Sequence, residues 1–284
     1  MNLSVSVRST ATDRALFKKM LLLLSLSLTV LISLYIFVFA PLYVWLSNDV
    51  LYMGTVLPDV FEVLCSTVDI LVFGLSYGVI LFALYRFPFK KALVLVYVYI
   101  ASIFYKYVGN LLMTYITDGV PKSGVFSDLL NVGFYILLEL LQAGIVLLIG
   151  AKILTTAKQR ESIRLEAAKK AQISYEPSAE YLPFSRLLNL KNPLQGAAFW
   201  MAFVPMIVHV LQRAYFDILL TVSNGFYGNP LIDILWMLLY YTLDVVAYGV
   251  IVYFIEILLV SKLGDVGQRL DNPSEDETNE LLGA

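Results

Sequence analysis

Six stretches of this chain are apolar for longer than a soluble helix needs, near 20–46, 60–85, 91–116, 127–152, 194–222 and 231–260. Their apolar residues form nearly unbroken runs rather than the one-sided stripe of a helix lying on a water-covered core. About 20 apolar residues in a helix cross the hydrocarbon core of a bilayer, so each run predicts a membrane span. The breaks carry polar and turn-forming residues. Arg86-Phe87-Pro88, followed by Lys90 and Lys91, predicts a tight turn between the second and third spans. The first run follows Lys18 and Lys19. It exceeds the roughly 7–15 apolar residues of a signal peptide, and an uncleaved first helix is expected.

Charge orients the spans. The N-terminal segment carries Arg8, Arg14, Lys18 and Lys19, the turn after the second span three basic residues, the segment from Lys152 to Lys191 eight, and the C-terminal tail two. The loops on the opposite side carry Lys122 alone. Basic loops stay on the cytoplasmic side, so both termini are expected there. The 284 residues are 15% charged with a mean hydropathy of +0.77, whereas soluble domains hold about 25% charged residues.

These readings predict an all-α integral membrane protein, a six-transmembrane-helix bundle with an N-in/C-in topology. Residues 1–19 form a cytoplasmic N-terminal segment, and 20–152 hold helices 1–4. Residues 153–193 form a cytoplasmic connector, 194–261 helices 5 and 6, and 262–284 a disordered acidic tail. The fourth span is expected to continue as a solvated helix to about Gln172. The stretch Tyr181 to Leu188 is apolar with basic flanks and is expected at the headgroup level. A bacterial cytoplasmic membrane is the expected home.

The runs also resemble one another. Lys106, Asn110, Leu111, Leu112 and Thr114 recur 107 positions later as Arg213, Asp217, Ile218, Leu219 and Thr221. Asp128, Glu139 and Gly144 recur 105 positions later as Asp233, Asp244 and Gly249. Thr67 to Gly74 resembles Thr242 to Gly249, so an acid followed five residues on by glycine marks the second, fourth and sixth spans. Three pseudo-repeated helical hairpins of one design are expected.

The repeat matters because it contains ionisable residues, which cost several kcal/mol in mid-bilayer unless paired or hydrated. Asp69, Glu139 and Asp244 fall near the midplane, with Lys106 and Arg213 at similar depth. The expected partners are Lys106 with Glu139 and Arg213 with Asp244, leaving Asp69 without a base in its own hairpin. Three outcomes are open for it: to stay protonated, to share Lys106 or Arg213 across hairpins, or to face a wet cavity and bind a cation, a proton or an amine-bearing ligand. His209, Arg213 and Asp217 recur at helical spacing, as do Ser102, Lys106 and Asn110, and Ser25, Thr29 and Ser33. Lipid cannot solvate such stripes, and they are expected to face the bundle. Gly74 and Gly78 make a GxxxG that admits a neighbouring helix. Glu256 is expected near the inner interface, and Pro41 and Pro205 are expected to kink or end helices.

One histidine, His209, and one cysteine, Cys65, exclude a His-rich zinc site and an intramolecular disulfide. No phosphate loop, zinc-protease or serine-hydrolase motif occurs, so neither catalysis nor a cofactor nor a metal is expected. No basic aromatic motif points to nucleic acid. The expected partners are the lipid bilayer and a small-molecule or ion substrate. Asp69, Glu139, Asp244, Lys106, Arg213, Asp217 and His209 are the candidate ligand- or ion-binding residues of a transporter-like protein. The alternative is a non-catalytic scaffold or assembly subunit whose charges hold helices together, with a partner protein docking on 153–193.

Overall fold

A computed structural model describes residues 10–49, 57–117, 125–171, 190, 192–224 and 229–271. Among them all regular structure is helical. The helices are α1 (Thr10–Leu34), a five-residue π-helical turn (Tyr35–Phe39), α2 (Ala40–Asp49), α3 (Leu57–Arg86), α4 (Phe89–Thr117), α5 (Val125–Lys170), α6 (Pro193–Asn224) and α7 (Pro230–Asp271). Five segments are long and apolar enough to cross a membrane: Thr12–Tyr43, Leu64–Arg86, Phe89–Thr117, Val125–Lys170 and Pro230–Gln268. Their length and apolarity mark a membrane-integrated, bilayer-embedded chain. On α6 the apolar stretch among the described residues is Pro193–Val208. The interfacial stretch 181–188, the acidic tail after Asp271 and the loop holding Lys122 lie outside the described residues.

Local chemistry sets the helix ends. Asn192 and Asn229 each precede a proline. The Asn192 side chain accepts from the Leu194 amide at 2.9 Å, and that of Asn229 from the Leu231 amide at 3.0 Å. Both cap otherwise orphaned donors, and proline suits the first helical position because its missing N–H is not needed there. Pro41 does not end the first helix. It lacks a donor and crowds the carbonyl four residues back; the chain widens instead, with the Ala40 amide bonding the Tyr35 carbonyl, and continues to Asp49. Pro205 likewise sits inside α6.

Helix α3 is the centre of the bundle. In its most apolar stretch 78% is buried, against 22 to 33% in the other four spans. It packs most extensively on α7 and also touches α1, α4, α5 and α6. Gly74 and Gly78 make the α7 contact possible. A Cβ on Gly74 would lie 2.8 Å from Ile255, and one on Gly78 would lie 3.0 Å from the Glu256 backbone. By contrast, a Cβ on Gly144 would meet nothing within 4 Å, and one on Gly249 would meet the Phe203 ring. The glycines of the three similar stretches therefore have different surroundings. On α1 and the π turn, Leu16, Met20, Leu24, Leu28, Ile32 and Ile36 form the buried face.

Ser25, Thr29 and Ser33 flank that buried face instead of pointing into the core. Ser25 donates to the Leu21 carbonyl and Thr29 to the Ser25 carbonyl, each at 2.8 Å. A hydroxyl bonded to its own helix can lie at an apolar surface, so Thr29 is exposed. Many large apolar side chains are exposed, among them Leu22, Phe126, Leu235 and Trp236, as lipid contact requires.

One end of the bundle is held by basic residues. The Arg86 guanidinium, almost fully buried, pairs with Asp13 at 3.1 Å and lies against Gly267, tying the ends of α1, α3 and α7. The Lys158 ammonium donates to the Leu84 carbonyl at 3.3 Å, where the end of α3 is negative. The Lys91 ammonium lies over the Phe87 ring.

Gly78→Leu should force α3 and α7 apart and destabilise the protein by about 1–3 kcal/mol, as overpacking does. Gly144→Leu, made into open space, should stay within about 0.5 kcal/mol of wild type. Thermal unfolding of both in the same detergent compares them; equal losses would remove the special role given to the α3–α7 crossing.

Candidate functional site: charges and tyrosines inside the bundle

The α3–α4 turn decides how the first charges meet. Asp69 lies 17 residues before Arg86 at the end of α3, and Lys106 lies 17 after Phe89 at the start of α4. Two antiparallel helices joined by a tight turn bring such positions to one level, about 26 Å from the turn. The Lys106 ammonium donates to Asp69 Oδ1 in an ion pair. The pairing expected from the outer loop, Lys106 with Glu139, is not the direct contact. Successive residues on a helix point about 100° apart, so when Lys106 turns to α3 it is Tyr107 that turns to α5.

Glu139 of α5 is instead met by tyrosines of α4. Tyr99 Oη donates to its Oε2 at 3.1 Å, and Tyr107 Oη reaches its Oε1 at a long 3.5 Å. Tyr99 and Tyr107 are eight residues apart on the same face of α4. The Tyr107 ring stacks on Tyr135 at 5.8 Å. Glu139 is 7% exposed and borders a shallow crevice lined by Tyr99, Ile100, Ile103, Ile136 and Leu140. Lys106 and Asp69 both act electrostatically on it.

The π turn completes the cluster. Tyr35, its first residue, presents its ring to the Lys106 ammonium at 4.9 Å, and Tyr107 does so at 5.6 Å. Such cation–π contacts are worth about 0.5–2 kcal/mol according to desolvation. Gly109 lets α4 approach the turn, since a Cβ there would lie 2.7 Å from Ile36. The Lys106 side chain is 12% exposed and that of Asp69 36%. The ion pair is thus sealed on the lysine side and open on the aspartate side. The whole is an ion pair beside a hydrogen-bonded carboxyl, gathered from α3, α4, α5 and the π turn.

The remaining candidates lie elsewhere. Asp244 is half-buried on α7, one helical turn from Tyr241, which packs with Val210 and Ala214. The Asp69–Lys106 ion pair and the hydrogen bonds to Glu139 come from other residues. His209, Arg213 and Asp217 are on α6, but their side chains lie outside the described residues. Among the described residues no group of three or more His, Cys, Asp or Glu is placed to hold a metal ion.

Sequence reasoning passed over Tyr35, Tyr99 and Tyr107, and it placed Glu256 at an interface. Helix α7 runs on as far as Asp271, so Glu256 is well inside it and fully buried. Sharing of Lys106 by Asp69 is one of the three outcomes open from the sequence, and it is the one the structure shows. The signal that selects it is that the two positions are equidistant from the Phe87-Pro88 turn.

Comparison with known protein families, with curated proteins and with solved structures finds no match for this chain.

If the contacts are as described, a double-mutant cycle on Asp69→Asn and Lys106→Gln should give a coupling of about 1–3 kcal/mol, in the range of residues in contact. The cycle on Lys106→Gln and Glu139→Gln should stay near the roughly 0.6 kcal/mol average of polar pairs between membrane helices. Reversed magnitudes in thermal or denaturant unfolding would return Lys106 to Glu139.

Proposed function

We propose that this chain is a transporter- or permease-like membrane protein whose substrate or coupling ion is handled at the Asp69–Lys106–Glu139 cluster. The observation that carries the reading is the convergence of three ionisable side chains from three helices beside a π turn, within the membrane-embedded part of the bundle. A pair that merely holds helices together gains most when sealed, whereas this one has an open aspartate flank. Among the described residues Glu139 has hydroxyl donors but no direct cation, which leaves an acid able to answer a change at the ion pair. Turns of π-helix occur frequently at functional sites, and this one supports the ring over Lys106. Ionisable groups at midplane depth among helices are a recurrent feature of transporters.

The topology that goes with this function has six spans, with both termini in the cytoplasm of a bacterial cell. Its support is the asymmetry of lysine and arginine between the two sets of loops. The sixth span is α6, whose 32 residues reach about 48 Å. Three related hairpins, with Arg213 and Asp244 standing for Lys106 and Glu139, complete the proposal. In it Asp217 and His209 extend the polar face of α6.

One observation favours a scaffold or assembly role as a second reading. Helix α5 has 46 residues, about 69 Å, and a bilayer core takes up about 30 Å. Its end, from Thr155 to Lys170, is largely exposed and charged. It forms an arm on which a partner protein could dock.

Thermal unfolding of the purified protein against a panel of ions and metabolites separates the two. A ligand at 100 times its Kd should stabilise wild type by about 2.7 kcal/mol. Asp69→Asn should lose most of that gain while folding normally. A ligand that stabilises wild type and Asp69→Asn equally would move the site away from this cluster. Full stabilisation of an arm-truncated variant would separate ligand binding from the arm.

A further inference from the structure

The Lys106 ammonium occupies a place that suits other ammonium groups. Asp69 of α3 supplies a carboxylate, and Tyr35 of the π turn and Tyr107 of α4 turn ring faces to the nitrogen at 4.9 and 5.6 Å. Aromatic faces around a cation are the surround by which proteins recognise quaternary ammonium ligands. Here the occupant is a side chain of the protein itself. The surround draws on three separate elements, which a plain ion pair between α3 and α4 does not require.

The place is closed around the lysine and open at the aspartate. Lys106 takes Asp69 Oδ1, and Oδ2 has no hydrogen bond among the described residues. Asp13, the acid of the Arg86 pair, is also partly exposed, but it lies at the basic end of the bundle, where water reaches. Asp69 lies about 26 Å along α3 from the α3–α4 turn, and lipid cannot solvate a carboxylate. Its open flank therefore calls for a wet cleft or a ligand. Charge points the same way. The cluster holds two acids, Asp69 and Glu139, and one base, so it takes one further positive charge without a net excess.

This chemistry selects the ligand. Calcium takes six to eight oxygen ligands and magnesium demands near-octahedral geometry, whereas no group of three or more His, Cys, Asp or Glu gathers among the described residues. An anion entering by the open flank would meet a carboxylate first. An organic ammonium needs only one carboxylate oxygen and an aromatic face. We propose that the Asp69 flank binds an organic ammonium ligand, which competes with Lys106 for the Asp69 carboxylate and the Tyr35 ring. The ligand enters from the aspartate side, because the two rings close the lysine side. This names the substrate class of the transport reading and rests on that reading for its purpose; binding at Asp69 can be tested separately.

Cys65 reports on the site. It is the chain's one cysteine, half-buried and one helical turn from Asp69 on α3, so the two share a face. The test is the rate at which a maleimide labels Cys65 in the full-length protein in dodecyl maltoside, a detergent without ammonium groups. The probes are tetramethylammonium, choline, the neutral isostere of choline with carbon in place of the quaternary nitrogen, and sodium chloride, all at equal concentration. Tetramethylammonium and choline should slow labelling severalfold, and the isostere and sodium chloride should not. Asp69→Asn should lose the protection. Lys106→Gln, which removes the competitor, should reach it at severalfold lower choline. Tyr35→Leu should need about tenfold more choline, whereas Tyr35→Phe should match wild type. Equal protection by the isostere or by sodium chloride, no protection by any probe, or weaker protection in Lys106→Gln overturns the proposal. If Asp69→Asn does not fold, the Tyr35 pair decides, and if Cys65 does not react, thermal unfolding with the same probes and variants decides. A ligand of another class whose stabilisation depends on Asp69 would keep the transport reading and remove the ammonium. Protection by choline without uptake into vesicles would keep the ammonium site and remove transport.

Discussion

The approach of α7 to α3 at Gly74 and Gly78 is the contact from which the rest of the bundle is placed. Lipid tails are as apolar as leucine, so burying apolar surface gives little drive for one membrane helix to find another. Close packing must supply it, and two glycines on one face of α3 let the backbones meet. With α7 seated there, α3 becomes the buried centre, and α1, α4, α5 and α6 arrange around it. The same approach carries Glu256 into the interior. A residue that reads as peripheral along the sequence thus becomes one of the most buried acids in the fold.

Around that centre one rule acts on the polar groups: lipid offers no hydrogen bond, so satisfaction must come from inside the chain, and buried groups such as the Glu256 carboxyl that go without it are exceptions. Satisfaction comes in three ways. Hydroxyls on α1 bond back to their own helix. Lys106 and Asp69 neutralise one another across a tight turn. Glu139 accepts from tyrosines. The three differ in what a change of state would do. A back-bonded serine can lose its bond without effect on its neighbours. Removing the Asp69 carboxylate, in contrast, would free a buried ammonium that acts on Glu139 and lies against two aromatic rings. Sensitivity of that kind distinguishes a site from glue.

The sequence made the helices legible because a membrane span writes itself as one long apolar run, and its end as a basic or proline-bearing break. Partners inside the bundle were less legible. The search for repeats drew attention to residues joined by the outer loops, and so to Lys106 with Glu139. The two-residue turn at Phe87-Pro88 reads Asp69 with Lys106 instead. Tyrosines were harder still to single out, because most of the 19 in the chain fit equally well as interface anchors or core. Neither the π turn nor the burial of Glu256 has a local signature. The first arises from how α1 accommodates Pro41, and the second from which helix Gly78 happens to face.

Depth connects the two polar regions. Glu256 lies 11 residues before Gly267, which touches the buried Arg86 at the basic end of the bundle. That places it about 17 Å from that end, whereas the Asp69–Lys106 pair is about 26 Å away. Tyr77 and Tyr99 lie nine and ten residues from their ends of the α3–α4 turn, about 14–15 Å along their helices. Glu139 accepts from Tyr99 at that level while Tyr107, two turns farther along α4, reaches it from the other side. A single carboxyl on α5 therefore takes up donors from two levels of α4. Its helix, α5, packs on both α4 and α3, so Glu139 is held by the same two helices that supply the ion pair.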